Sequence, residues 1–199
     1  MCTGACSKVI AVCLYVLAAL SVICNIMLFF PDFSTEYAAT DRGGENRITA
    51  EVKYMGGLIG GGIMVLIPAI HIHLTSAKNC CANRCGMFLS IGFAAAGVVG
   101  AVYSLSVAAL GLANGPLCYW SNADNIIPQW GTPFFNSTGS YLGDKDMWKW
   151  CKIPENVVGF NVGLFSTLLV ASCLELVLCA IQMVNGLFGC LCGTCGGKE

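Results

Sequence analysis

The chain has 199 residues, 56% of them hydrophobic and 11% charged, with a mean hydropathy of +0.73 and a net charge of -1. Soluble domains carry roughly 25% charged residues, so this composition belongs to a membrane protein. The near-neutral balance gives no electrostatic basis for a nucleic-acid partner.

After the short opening MCTGACSK, residues 9–30 form a 22-residue apolar run. That is longer than the ~7–15 residues of a signal-peptide core and long enough to cross a bilayer, so it reads as a retained first span. Asn25 near its far end suits a hydrogen bond to a neighbouring helix. Pro31 ends the span, and residues 31–54 form a polar loop with five acids and three bases. Residues 55–74 form the second span. It opens GGLIGGG, in which Gly56/Gly60 and Gly57/Gly61 each allow close helix contact. Pro68 interrupts its hydrogen bonding. His71 and His73, two apart, point different ways on a helix and do not share a metal.

Residues 75–86 are a short loop, and residues 87–113 the third span. In it Gly92, Ala96, Gly100, Ser104 and Ala108 recur every four residues, a smooth ridge for packing against the second span. Residues 114–156 form a long loop with four prolines, all four tryptophans and the cysteines Cys118 and Cys151. Its Trp and Tyr content points to a partner surface, because such residues favour interfaces; the competing reading is that the rings pack the loop itself. The fourth span, residues 157–188, holds no Lys or Arg and one acid, Glu175, near its middle. Asn161, Glu175 and Gln182 lie 14 and 7 residues apart, hence on one helix face with Leu164, Leu168, Ala171 and Cys179. An ionisable group at that depth is costly and faces the inside of a bundle. Ser104, Ser106 and Tyr103 are candidates to lie level with it. Residues 189–199 are a cysteine-rich tail without a prenylation box.

Four spans put both ends of the chain on one side. The density of basic residues leans slightly towards that side being cytoplasmic. Asn136-Ser137-Thr138 is an N-glycosylation sequon and places the long loop outside. Cys118 and Cys151 bracket that loop, so one disulfide closes it in an oxidising compartment. Eight further cysteines (Cys2, Cys6, Cys80, Cys81, Cys85, Cys190, Cys192 and Cys195) lie in the terminal and middle segments, close to membrane boundaries, where S-palmitoylation occurs. A zinc site is the competing reading, given Cys192-x-x-Cys195, but no compact domain surrounds these thiols to orient a tetrahedron of ligands. No phosphate-cradling loop followed by Lys and no Ser/His/Asp arrangement is legible, and no cofactor is expected. The fold class expected is an all-α membrane protein. It is a left-handed four-transmembrane-helix bundle with a small first and a larger disulfide-closed second extracellular loop.

The stretches MCTGAC, NIMLFFP, GGLIGGGIMVLIPA, SVAALGLANGPLC, NVGLFS and CLELVLCAIQMVNG together resemble the transmembrane 4 L-six family of tetraspanin-like surface proteins, over almost the whole chain. Its opening and last helix look most like members four and five. The resemblance implies a plasma-membrane protein with cytoplasmic termini, a glycosylated large loop and palmitoylated cysteines. It also implies association with integrins, tetraspanins and growth-factor receptors in membrane microdomains, in support of adhesion, migration or proliferation, and no catalysis. Asn161-Val162-Gly163 lacks the hydroxyl residue of the second sequon found in related members, so Asn161 is not expected to carry a glycan. The large loop has no Cys-Cys-Gly motif of true tetraspanins, and its cysteine pair lies in the second loop rather than the first, unlike claudins. The function expected is therefore a non-enzymatic membrane organiser at the plasma membrane and possible endosomal membranes, self-associating or partnered, in contact with membrane lipids. The alternative is a transporter, channel or small-ligand sensor built on the Glu175 stripe.

Overall fold

The computed structural model describes residues 4–35, 47–76, 84–121, 127–135, 137 and 139–191. Among these, four helical stretches are long and apolar enough to cross a membrane: Ser7–Leu28, Ala50–Leu74, Phe88–Asn114 and Val157–Phe188. The first lies in α1 (Gly4–Leu28). It ends two residues short of the expected span because proline disfavours helical backbone in the residue before it. Phe30 accordingly has φ -124° and ψ 68° ahead of Pro31.

The second span is a composite. A short α2 (Ala50–Lys53) leads to Met55 in the left-handed region at φ 50°. A π-helical segment follows over Gly56–Met64 and then α3 (Val65–Ser76). The left-handed residue and the wider helix free backbone groups that lipid cannot satisfy. Side chains from both neighbours satisfy them. Asn25 Oδ1 of α1 accepts from the Leu58 N–H at 2.7 Å, the inter-helix bond expected of that asparagine. The Tyr103 hydroxyl, from α4 (Arg84–Asn114), donates to the Tyr54 carbonyl at 2.7 Å.

The last span is α5 (Val157–Leu191). Its buried residues are Val157 and Val158, Asn161, Phe165, Leu168, Ala171 and Ser172, Glu175, Cys179, Gln182 and Gly186. Those of α1 are Ile10 and Ala11, Leu14, Ala18, Ser21, Cys24 and Asn25, and Leu28. Steps alternating between three and four residues are the pattern of a left-handed supercoil. The same steps revise the ridge expected on the third span. Gly100, Ser104 and Ala108 are buried, but below them the contact passes to Gly97, Ala94 and Ser90, while Gly92 is exposed. A strict four-residue repeat turns 400° per step, so it drifts around the helix and leaves the interface within about three turns.

Two apolar clusters fill the bundle. One joins Leu14, Ala18, Val65, Ala69, Ile72 and Cys179; the other joins Cys24, Leu28, Val52, Ala108, Phe165 and Leu168. The large loop adds what hydropathy did not foretell, a three-stranded antiparallel sheet in the order β2-β1-β3. Its strands are β1 (Cys118–Trp120), β2 (Gln129–Gly131) and β3 (Cys151–Ile153).

Candidate functional site

Between the two apolar clusters lies a polar layer. Glu175 is 0% exposed on α5, 18 residues from Val157 and 13 from Phe188, hence roughly 27 Å and 20 Å from the two ends of the span. The Ser21 hydroxyl of α1 donates to its Oε1 at 3.0 Å. Its other oxygen, Oε2, is buried without a hydrogen-bond partner. One helical turn away, the Ser172 hydroxyl donates to the Ser104 hydroxyl of α4 at 2.8 Å. Neither Ser104, Ser106 nor Tyr103 bonds the carboxylate: Ser106 turns back to the Val102 carbonyl, and Tyr103 serves the Tyr54 carbonyl. Ser21, which sequence reasoning passed over, is the partner. A hydroxyl inside an apolar run carries no signal until the facing of α1 on α5 is known.

Glycines make this layer thin. A Cβ on Gly61 would stand 2.9 Å from Ser21 Oγ and 3.1 Å from Glu175 Oε2, so the second span presses its backbone onto the carboxylate. A Cβ on Gly97 would meet Cys179 Sγ at 2.7 Å and Pro68 Cγ at 2.8 Å. Of the other stripe residues, Asn161 is buried near the start of α5 and Gln182 towards its end; Asn161 Oδ1 and Gln182 Oε1 each lack a hydrogen-bond partner. His71 lies tilted against Phe93 with ring centroids 4.8 Å apart, and His73 meets the Tyr15 edge at 6.2 Å, on opposite neighbours. Among the described residues no group of three or more His, Cys, Asp or Glu side chains is placed to hold a metal.

The large loop between the third and fourth spans forms a second candidate region. Cys118 and Cys151 are disulfide-bonded, with Cα atoms 5.5 Å apart and a separation of 33 positions in sequence. Their bond ties β1 to β3 above a core of Phe134, Tyr141, Met147, Val157 and Val158. Phe134 stacks on Tyr141 at 4.4 Å and on Trp150 at 6.3 Å. Trp148 Nε1 donates to the Tyr141 carbonyl at 2.7 Å. The Tyr141 hydroxyl donates at 2.6 Å to the Leu112 carbonyl, one of the orphan acceptors at the end of α4. Burial pushes that hydroxyl up to about 12. Gly115, at φ 72°, ends α4 with its N–H on the Gly111 carbonyl, and a Cβ there would run into Phe134. Of the loop's rings, Tyr141, Trp120, Trp148 and Trp150 pack the loop itself, while Tyr119 and Trp130 lie against each other across β1 and β2. The apolar residues the loop exposes are Ile127, Phe135, Leu142 and Ile153.

Of the modification sites, Asn136 lies outside the described residues. Cys6, Cys85 and Cys190 fall within the ends of α1, α4 and α5; Cys2, Cys80, Cys81, Cys192 and Cys195 lie outside the described residues.

A four-pass bundle with a disulfide-closed loop between its last two spans, read beside known sequences, has a clear kinship. The family model described as L6 membrane protein matches residues 1–196. This chain belongs to the L6 membrane protein family. Human Transmembrane 4 L6 family member 5 is 41% identical over 100% of this chain and 98% of its own length. Human member 1 is 39% identical, over 98% of this chain and 96% of its own. Human member 4 is 38% identical, over 98% and 94%. No solved structure gives a significant match.

Proposed function

We propose that this L6 family protein is a non-enzymatic organiser of the plasma membrane. It associates laterally with integrins, tetraspanins or growth-factor receptors in membrane microdomains and regulates adhesion, migration or proliferation. Both termini face the cytoplasm, and the large loop faces outward with a glycan on Asn136. The cysteines Cys2, Cys6, Cys80, Cys81, Cys85, Cys190, Cys192 and Cys195 are acylated and favour the lipids that such partners prefer.

The observation that carries this reading is how the bundle is filled. At Gly57, Gly61, Gly97 and Gly100 a single added carbon would find a neighbouring atom at 2.5–2.9 Å. A conduit needs space at some layer of the interior, and these layers are occupied by touching backbones and side chains. Membership of a tetraspanin-like family supports the same reading. Tagged protein isolated from intact cells in mild detergent brings integrin or tetraspanin partners with it; isolation of the protein alone, under conditions that keep control complexes intact, refutes the reading.

One observation favours a second reading. Glu175 Oε2 is buried without a partner, as a transport or ligand site would require. Purified protein in proteoliposomes separates the two: ion or solute flux abolished by Glu175→Gln belongs to a transporter, and an organiser gives none.

A further inference from the structure

A cleft of about 400 Å³ opens where the large loop meets the last span. Trp148 and Lys149 of a short 3-10 turn (Met147–Trp150), Lys152 of β3, Glu155, and Val158 and Gly159 in the first turn of α5 line it. The membrane-crossing stretch of α5 begins at Val157, so the cleft lies at the level where an apolar bilayer core gives way to headgroups. Its size is that of a small-molecule site, roughly 300–1,000 Å³. The lining carries both signs of charge. Lys149 is paired with Asp146 at 2.7 Å, whereas Lys152 and Glu155, both exposed, form no ion pair among the described residues. The lining also carries a fixed indole. Trp148 Nε1 donates to the Tyr141 carbonyl at 2.7 Å, and the opposite side of the ring, at Cζ3, stands 3.5 Å from where a Cβ on Gly159 would be. One turn deeper on the same face of α5, Gly163 is exposed and has nothing within 4 Å of an added Cβ. The two glycines leave a shallow path from the cleft along α5 into the apolar zone.

We propose that this cleft holds the headgroup of a choline phospholipid. Such a headgroup joins a phosphate and a quaternary ammonium through a short linker, and the lining offers a partner for each. Lys152, with Lys149 beside it, takes the phosphate as an ammonium point charge. The quaternary ammonium has no N–H to donate, so an aromatic ring and a carboxylate are what recognise it, here Trp148 and Glu155. A purely anionic headgroup would be repelled by Glu155, and choline without its phosphate would leave Lys152 unanswered. The acyl chains follow the Gly159 and Gly163 face of α5. A lipid held in this way ties the disulfide-closed loop to the bilayer surface.

Native mass spectrometry of the full-length protein tests it. The protein is released from bilayers holding equal amounts of phosphatidylcholine and phosphatidylglycerol with the same acyl chains, and the lipid that stays bound is counted. The wild type retains phosphatidylcholine in preference. Lys152→Glu and Glu155→Lys each lower that occupancy roughly fivefold, the upper size of one ion pair at a wet surface. Lys145→Glu reverses an exposed charge of the same loop outside the cleft and leaves it unchanged. All three side chains are exposed, so the fold is not at stake. Phosphatidylglycerol retained by the wild type as well as phosphatidylcholine overturns the proposal in favour of a merely cationic surface. Phosphatidylcholine occupancy that survives either cleft variant, or that falls as far in Lys145→Glu, overturns it as well.

Discussion

Gly100→Ala adds one carbon where the second and third spans touch. The new Cβ would stand 2.5 Å from Met64 Cβ and 2.7 Å from the Gly60 carbonyl oxygen, where 3.4 Å is the near edge of ordinary contact. Both obstructing atoms belong to or adjoin the backbone, so no side chain can swing aside. The helices must part by the difference, 3.4 − 2.5 = 0.9 Å. Overpacking of this kind costs about 1–3 kcal/mol. Alanine's better helix propensity returns up to about 1 kcal/mol. The net loss of about 1–2 kcal/mol lowers the melting temperature by roughly 2–8 °C. Gly92→Ala is the control, because nothing lies within 4 Å of its added carbon; it leaves the melting temperature unchanged or slightly raised. The assay is the temperature at which the detergent-solubilised protein loses its monodisperse peak on size exclusion. Equal midpoints for the two variants would refute close packing at Gly100.

The polar layer gives a second prediction. Ser21→Ala removes the donor to Glu175 and destabilises by about 1–3 kcal/mol, whereas the same change in a Glu175→Leu background costs much less; a thermal-stability double-mutant cycle reads the coupling. Cys118→Ser, Cys151→Ser and the double variant weaken the large loop alike, by about 4 kcal/mol for a closed loop of this length, seen as equal gains in protease cleavage of the loop. Tyr141 ionises at about 12 rather than the ordinary 10. Its folded value is raised, so its share of loop stability is complete below pH 10 and disappears as the pH rises towards 12. The difference in 295 nm absorbance between wild type and Tyr141→Phe locates that step, and a step at 10 contradicts the buried position. Asn136→Gln removes a glycosidase-sensitive mobility shift.

The spans were legible because lipid demands long apolar runs, and the disulfide because its cysteines bracket the long loop. The Asn161, Glu175 and Gln182 stripe was legible for a related reason. A seven-residue spacing stays on one face of a supercoiled helix. What meets Glu175 was not legible. That depends on the rotation of α1 about its own axis, which an almost uniformly apolar run leaves open. The π-helical segment was hidden behind glycines that read only as packing residues, although its satisfaction by Asn25 and Tyr103 rests on polar side chains visible in the sequence. In the large loop, aromatic content alone could not separate a binding face from a core. Phe134, Tyr141, Trp148 and Trp150 gather in the core beside the disulfide, whereas Tyr119 and Trp130 do not join it.

The central claim is that the protein works by lateral assembly assisted by acylated cysteines. The most direct test compares tagged wild type with a variant carrying Cys→Ala at the eight membrane-boundary cysteines, each isolated from intact cells in mild detergent and normalised to surface amount. The account predicts that integrin or tetraspanin partners accompany the wild type and fall away from the variant. Wild type recovered without partners, while control complexes survive, contradicts it.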